Sequence, residues 1–193
     1  MKKLLITGFD PFCGGEVNPS WEAVKRLPET VGEYTLYKCE IPTVFGEAAR
    51  KALERAETIQ PDVILCVGQA GGRDAVTPER VAVNIRDTRT RHDNAGNQFA
   101  GERIAEDGPA AYFTTVPVKK MAVAVRNAGI PGAVSNTAGT FVCNDTLYLL
   151  LRRYAGTETR VGFIHVPYLP EQGTPNLSLD RMVKALEAAI LAL

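Results

Sequence analysis

Thiol chemistry needs a nucleophile, a base to take its proton and a group that holds the base, and this chain offers few candidates. It has two histidines and four cysteines. His92 lies in the polar run Arg91-His92-Asp93-Asn94 and reads as a solvated loop residue, whereas His165 closes the apolar run that starts at Val161. The carboxyl ends of parallel strands are where open α/β sheets bind ligands, although position alone leaves a satisfied structural histidine equally open. Cys39 and Cys66 fall inside strand-like runs and read as buried small hydrophobes, and Cys13 stands in a glycine-rich loop. Cys143 differs, because it leads into Asn144-Asp145-Thr146 and an apolar run with the look of a helix. A thiol in a first helical turn feels the positive end of the helix dipole, which favours thiolate. The unpaired N–H groups there can receive an oxyanion. On this segment alone a cysteine packed beneath a sheet is the competing reading. An acidic third member is available at Glu79, where Thr77-Pro78-Glu79-Arg80 joins an irregular loop to an alternating run. A solvated glutamate, or one paired with a neighbouring arginine, fits that position as well. The residues alone therefore point to a thiol hydrolase whose substrate is open. No C-x-x-C pair occurs, which argues against a zinc or iron–sulfur site, and no metal is expected.

Positioning such a set requires a scaffold. Short apolar runs over 3–7, 34–41, 63–67, 133–135 and 160–165 predict strands. Helical patterns cover 19–27, 46–59, 119–127, 143–154 and 178–193, the first opened by Asn18 as a cap with Pro19 in the first turn. Val63–Val67 is apolar without alternation, as suits a strand covered on both faces. Strand–helix alternation predicts an α/β class fold, a single-domain α/β/α sandwich with a mostly parallel central sheet over residues 1–193. The polar stretch 71–101 interrupts that rhythm. A long irregular stretch within a compact domain is usually functional or disordered.

The balance of charge narrows the partners. Lys plus Arg and Asp plus Glu each total 22 in 193 residues, so the net charge is zero, and nothing favours nucleic acid or an anionic membrane as partner. The apolar run at the N-terminus is broken by Gly8, Asp10 and Pro11, too early for a signal peptide, so a cytoplasmic location with reduced thiols is expected.

Several long motifs together resemble the pyroglutamyl peptidase I family of intracellular cysteine peptidases. They are Gly8-Phe-Asp-Pro-Phe12 with Asn18-Pro-Ser-Trp21, Cys66-Val-Gly-Gln-Ala-Gly-Gly-Arg73, Thr77-Pro-Glu-Arg-Val-Ala-Val-Asn84, Gly96-Asn-Gln98, Gly108-Pro-Ala-Ala-Tyr112, Thr137-Ala-Gly-Thr-Phe-Val-Cys-Asn144 and Phe163-Ile-His-Val-Pro-Tyr168. The likeness runs the length of the chain. It implies that the catalytic Glu, Cys and His are Glu79, Cys143 and His165, with no metal or organic cofactor. The implied activity is release of an N-terminal pyroglutamyl residue from peptides, as an omega-peptidase, through a thioester acyl-enzyme. It also implies a homodimer or homotetramer. Under the same resemblance Phe9 and Phe12 sandwich the lactam ring with Phe141 and Val142 nearby, and Arg89 assists the oxyanion or closes the pocket. Gln69 carries both the donor and the acceptor that an amide ligand needs. Ordinary core packing is the alternative for the two phenylalanines. A thiol amidohydrolase for another small lactam, or a binder that does not cut, are the competing functions. Cys13 replaces a glycine more usual in the family. Asp145 stands where a histidine is frequent, and its carboxylate is expected either to face the sulfur and raise the thiol pKa or to point outward from the helix start.

Overall fold

The strongest apolar runs become the centre of a sheet. In the computed structural model, which describes residues 1–88 and 90–193, β1 (Lys2–Phe9), β3 (Tyr34–Ile41), β4 (Val63–Gln69) and β10 (Arg160–Val166) lie parallel in the order β3-β1-β4-β10. Short strands close both edges in the antiparallel sense, β2 (Thr30–Val31) beside β3 and β5 (Thr77–Pro78) beside β10. Helices α1 (Pro19–Arg26), α3 (Val118–Asn127) and α5 (Leu179–Leu191) cover one face, and α2 (Glu47–Ile59) and α4 (Val142–Arg153) cover the other. The architecture is the expected α/β/α sandwich.

Strand periodicity divides the core in two. Leu4, Ile6, Val63, Leu65 and Ile164 pack with α1, α3 and α5, while Leu5, Ile64, Cys66, Val161 and Phe163 pack with α2 and α4. Two residues on from Phe163, His165 therefore projects to the α4 side, and two residues on from Cys66 so does Gly68. Segment 133–135 is not a strand. It makes only isolated bridges, Glu79 with Ser135 and Val76 with the neighbouring Gly132, because Pro131 and Gly132 leave too short a run to extend a ladder.

Segment 71–101 is held by polar side chains as well as by the burial of Val76 and Ala82 in the two cores. It contributes β6 (Val81–Val83), paired with β9 (Ala111–Phe113), and β7 (Arg86–Asp87), paired with β8 (Ala100–Glu102), all outside the main sheet. The Asp93 carboxylate accepts the N–H groups of Phe45 at 3.0 Å, Ala95 at 3.0 Å and Asn97 at 2.8 Å. Asn144, in the first turn of α4, bonds Val83 N and Val83 O, both at 2.9 Å, and so pins the segment to the helix that carries Cys143. None of the described helices is long and apolar enough to cross a membrane.

Candidate active site

The register of β4 and β10 sets His165 beside Gly68 and Val166 beside Gln69 at the carboxyl ends of the two strands. The His165 ring is 3% exposed, packs on Phe163 at 4.7 Å between centroids, and meets Glu79 Oε1 through Nδ1 at 2.7 Å. A carboxylate can only accept, so Nδ1 carries the proton and Nε2 is left free to act as a base. Glu79 is wholly buried behind the ring. The backbone places it there, because Glu79 N bonds Phe163 O at 2.9 Å and Arg80 N bonds Ser135 O at 2.9 Å. Burial lowers the His165 pKa below its ordinary value, and the Glu79 carboxylate only partly restores it. Burial alone would raise the Glu79 pKa, but the bond and charge of His165 with the charge of Arg73 hold it below the usual glutamate value.

Cys143 is the second residue of α4, whose N-cap Phe141 offers no side-chain hydrogen bond, so the first N–H groups stay open to a ligand. The helix start does not by itself yield a thiolate. Burial, with the Glu79 charge and then Cys66, pushes the thiol up to about 12, against the smaller pull of Arg73 and its own N–H. Desolvation outweighs the helix end here because the half-buried Cys143 packs its sulfur against Gly68 at the carboxyl end of β4.

Thiol and imidazole open onto one cavity of about 290 Å³, lined also by Phe9, Phe12, Gln69 and Phe141. The sequence pointed to six of its lining residues, Phe9, Phe12, Gln69, Phe141, Cys143 and His165, and assigned no site role to Arg73 or Thr137, which line it too. Phe9 is 2% exposed and also packs on Phe163 at 6.2 Å, so it serves the core as well as the cavity. Val142 is not brought to the cavity; its side chain is fully buried between α4 and the sheet. Arg89 lies outside the described residues. A wider cavity of about 600 Å³ adjoins the first through Phe12, Gln69 and Arg91, with exposed Cys13 on its wall. Asn18, Thr43 and Arg91 also line the first cavity. Asn18 was legible only as a helix cap. Thr43 is set by Asp10, whose Oδ1 accepts Thr43 N at 2.6 Å.

Asp145 takes neither orientation expected of it. It is wholly buried and turned away from the sulfur, paired with Arg86 Nε at 2.6 Å and accepting Gly46 N at 2.8 Å. Burial raises its pKa although Arg86 and the Gly46 N–H oppose that. The Arg86 guanidinium in turn lies over Phe99 at 5.3 Å and Phe45 at 5.8 Å, and Phe45 meets Phe141 edge-on at 5.3 Å. An aromatic wall of the cavity is thereby supported from behind by an ion pair. Among the described residues no group of three or more His, Cys, Asp or Glu is arranged to hold a metal ion.

A buried carboxylate–imidazole pair sharing an apolar cavity with a thiol at an open helix start defines a thiol-dependent hydrolase on an α/β scaffold. The particular lineage comes from comparison with known proteins. The family model described as pyroglutamyl peptidase matches residues 2–193, and the chain belongs to that family. A pyrrolidone-carboxylate peptidase of Levilactobacillus brevis is 53% identical over 198 residues, spanning 99% of this chain and 97% of the relative. The crystal structure of pyroglutamyl peptidase I from Bacillus amyloliquefaciens superposes with a TM-score of 0.94 at 50% identity, covering 98% of this chain and 95% of that one. Pyrrolidone carboxyl peptidase from Thermococcus litoralis superposes with a TM-score of 0.93 at 36% identity, covering 100% of this chain and 93% of that one.

Proposed function

We propose that Cys143, His165 and Glu79 release an N-terminal pyroglutamyl residue from peptides by thiol catalysis. His165 Nε2 takes the Cys143 proton as the sulfur attacks the pyroglutamyl carbonyl, and N–H groups at the start of α4 receive the oxyanion. The imidazolium then gives its proton to the leaving amine. Water, activated by the same ring, hydrolyses the thioester and frees pyroglutamate. Glu79 keeps the ring in the tautomer the reaction needs and stabilises its charged form. Burial disfavours the charged forms of both thiol and imidazole, so the sulfur depends on His165 Nε2 to take its proton. The lactam is neutral, and it suits the apolar side chains of Phe9, Phe12 and Phe141 with Gln69 offering one donor and one acceptor. A site of that kind rejects rings lacking the lactam N–H and C=O, because its own polar groups would be left unpaired.

The observation that carries this reading is the 2.7 Å Glu79–His165 pair opening onto the cavity of Cys143. Cys143→Ala is expected to abolish release of a fluorophore from a pyroglutamyl amide, and substantial residual turnover would overturn the assignment. Residues 1–193 act as one peptidase domain, since both cores share a single sheet. The near-neutral charge and the family resemblance favour a homodimer or homotetramer, which sedimentation would read directly. Four unpaired cysteines suit a reducing cytoplasm.

A further inference from the structure

We propose that Arg73 is a positioning residue for this reaction: its guanidinium fastens the Glu79–His165 pair to the loop that delivers Cys143, so that base and nucleophile hold one geometry. Three contacts converge on it. Arg73 Nη1 donates to Glu79 Oε1 at 2.6 Å and to Thr77 Oγ1 at 2.6 Å, and Nη2 donates to Thr137 O at 2.9 Å. Thr137 lies in the loop that runs into α4 and itself lines the cavity. Glu79 Oε1 accepts from both Arg73 and His165, while Glu79 Oε2 is buried without a hydrogen-bond partner. The Ser135 hydroxyl that approaches it donates instead to Thr137 O at 3.0 Å. One carboxylate oxygen therefore carries both bonds, and Arg73 supplies the adjacent positive charge that keeps Glu79 ionised with its lone pair on the ring.

The planar fork spans three acceptors on two segments, which a lysine ammonium does not reproduce. The charged and titratable groups around the His165 ring are Glu79 from the segment after β5, Arg73 from the loop after β4 and Cys143 from α4, with Arg91 on the same cavity. Arg73 opposes protonation of the ring, as a like charge on the same carboxylate must. Loss of that charge moves the imidazole midpoint to higher pH.

This inference rests on the catalytic reading above, whose failure would show separately as activity surviving in Cys143→Ala. Its own test compares Arg73→Gln and Arg73→Lys by the pH profile of kcat/KM on a pyroglutamyl fluorogenic amide and by NMR titration of the His165 ring, which shares the spectrum only with His92. Arg73→Gln is expected to lower kcat roughly 10- to 100-fold with KM changed by less than about threefold, and to move both the acidic limb and the NMR midpoint to higher pH. Arg73→Lys returns the midpoint toward that of the parent protein but leaves kcat at least about tenfold low, since the link to Thr137 is lost. An unmoved midpoint in Arg73→Gln, full kcat in Arg73→Lys, or a rise in KM alone would overturn the proposal. Should Arg73→Gln not fold, the split between midpoint and kcat in Arg73→Lys decides by itself.

Discussion

At Cys143 the sulfur occupies space that exists only because its neighbour on β4 has no side chain. A Cβ built on Gly68 would stand 2.9 Å from Cys143 Sγ and 2.8 Å from Phe163 Cζ, closer than such contacts tolerate. Phe163 is wholly buried, so the thiol is the group that must give way. Gly68→Ala is therefore expected to rotate or displace the sulfur and lower kcat/KM by about 100-fold, with a stability loss of about 1–3 kcal/mol from overpacking. Kinetics on a pyroglutamyl amide together with a thermal melt read both quantities, and turnover within twofold of the parent would sink the idea. The identity of the nucleophile was legible because a helix-start cysteine stands out among four. The hole that receives it was not, since a glycine inside an apolar strand gives no sign of which side chain will fill its space.

At the scale of elements, α4 is the part that joins scaffold to chemistry. Its first turn supplies the nucleophile, the Asn144 clasp on Val83 and the Asp145 ion pair with Arg86, and its middle sends Tyr148 Oη to Pro109 O at 2.7 Å. One helix thus fixes the irregular polar segment and the aromatic wall of the cavity together. Breaking a buried ion pair from one side leaves an uncompensated charge. Arg86→Ala, which strands the wholly buried Asp145 carboxylate, should cost about 3–5 kcal/mol in urea unfolding. Asp145→Asn keeps a polar group for the Gly46 N–H and strands only the Arg86 side chain, which is 20% exposed, so it should cost less. The reverse order would refute this account of the pair. Helix positions were readable from periodicity to within a residue or two, as for α2 and α3. Within segment 71–101 the alternation from Val81 was readable as a strand, and β6 forms there. The rest was readable only as irregular, because its order comes from hydrogen bonds such as those of Asp93 and Asn144 to distant backbone, which leave no periodic trace.

Over the whole molecule, the parallel sheet gathers the carboxyl ends of β4 and β10 at one edge of its α2/α4 face, and the titrating groups placed there tie catalysis to stability. His165 has its pKa lowered from 6.5 and Glu79 from 4.5 on folding. In both cases the unfolded chain binds protons first as pH falls, so the stability they confer is present above the unfolded pKa and is lost on acidification. Unfolding free energy is expected to decline as pH drops below 6.5, and to decline further below 4.5. His165→Gln should flatten the first of these two phases and also weaken the second, because His165 is the foremost of the groups that hold the Glu79 pKa down. Urea titrations across pH would show this, and an equally steep first phase in the variant would remove His165 as its source.

The sequence by itself determined the layer architecture, because alternating apolar runs of strand and helix length can bury their faces in only a few ways. It also singled out Cys143 and His165, since each stands at an element boundary where side chains meet a cleft, and the family motifs added Glu79. What only the tertiary structure decided were relations across distant segments. Arg73 and Thr137 meet over the Glu79 carboxylate, Asp145 turns from the sulfur to Arg86, Val142 enters the core, and Gly68 admits the thiol. Each depends on which residues the sheet register and helix packing bring within a few ångströms, and desolvation, which sets the thiol and imidazole pKa values, exists only once those contacts have closed.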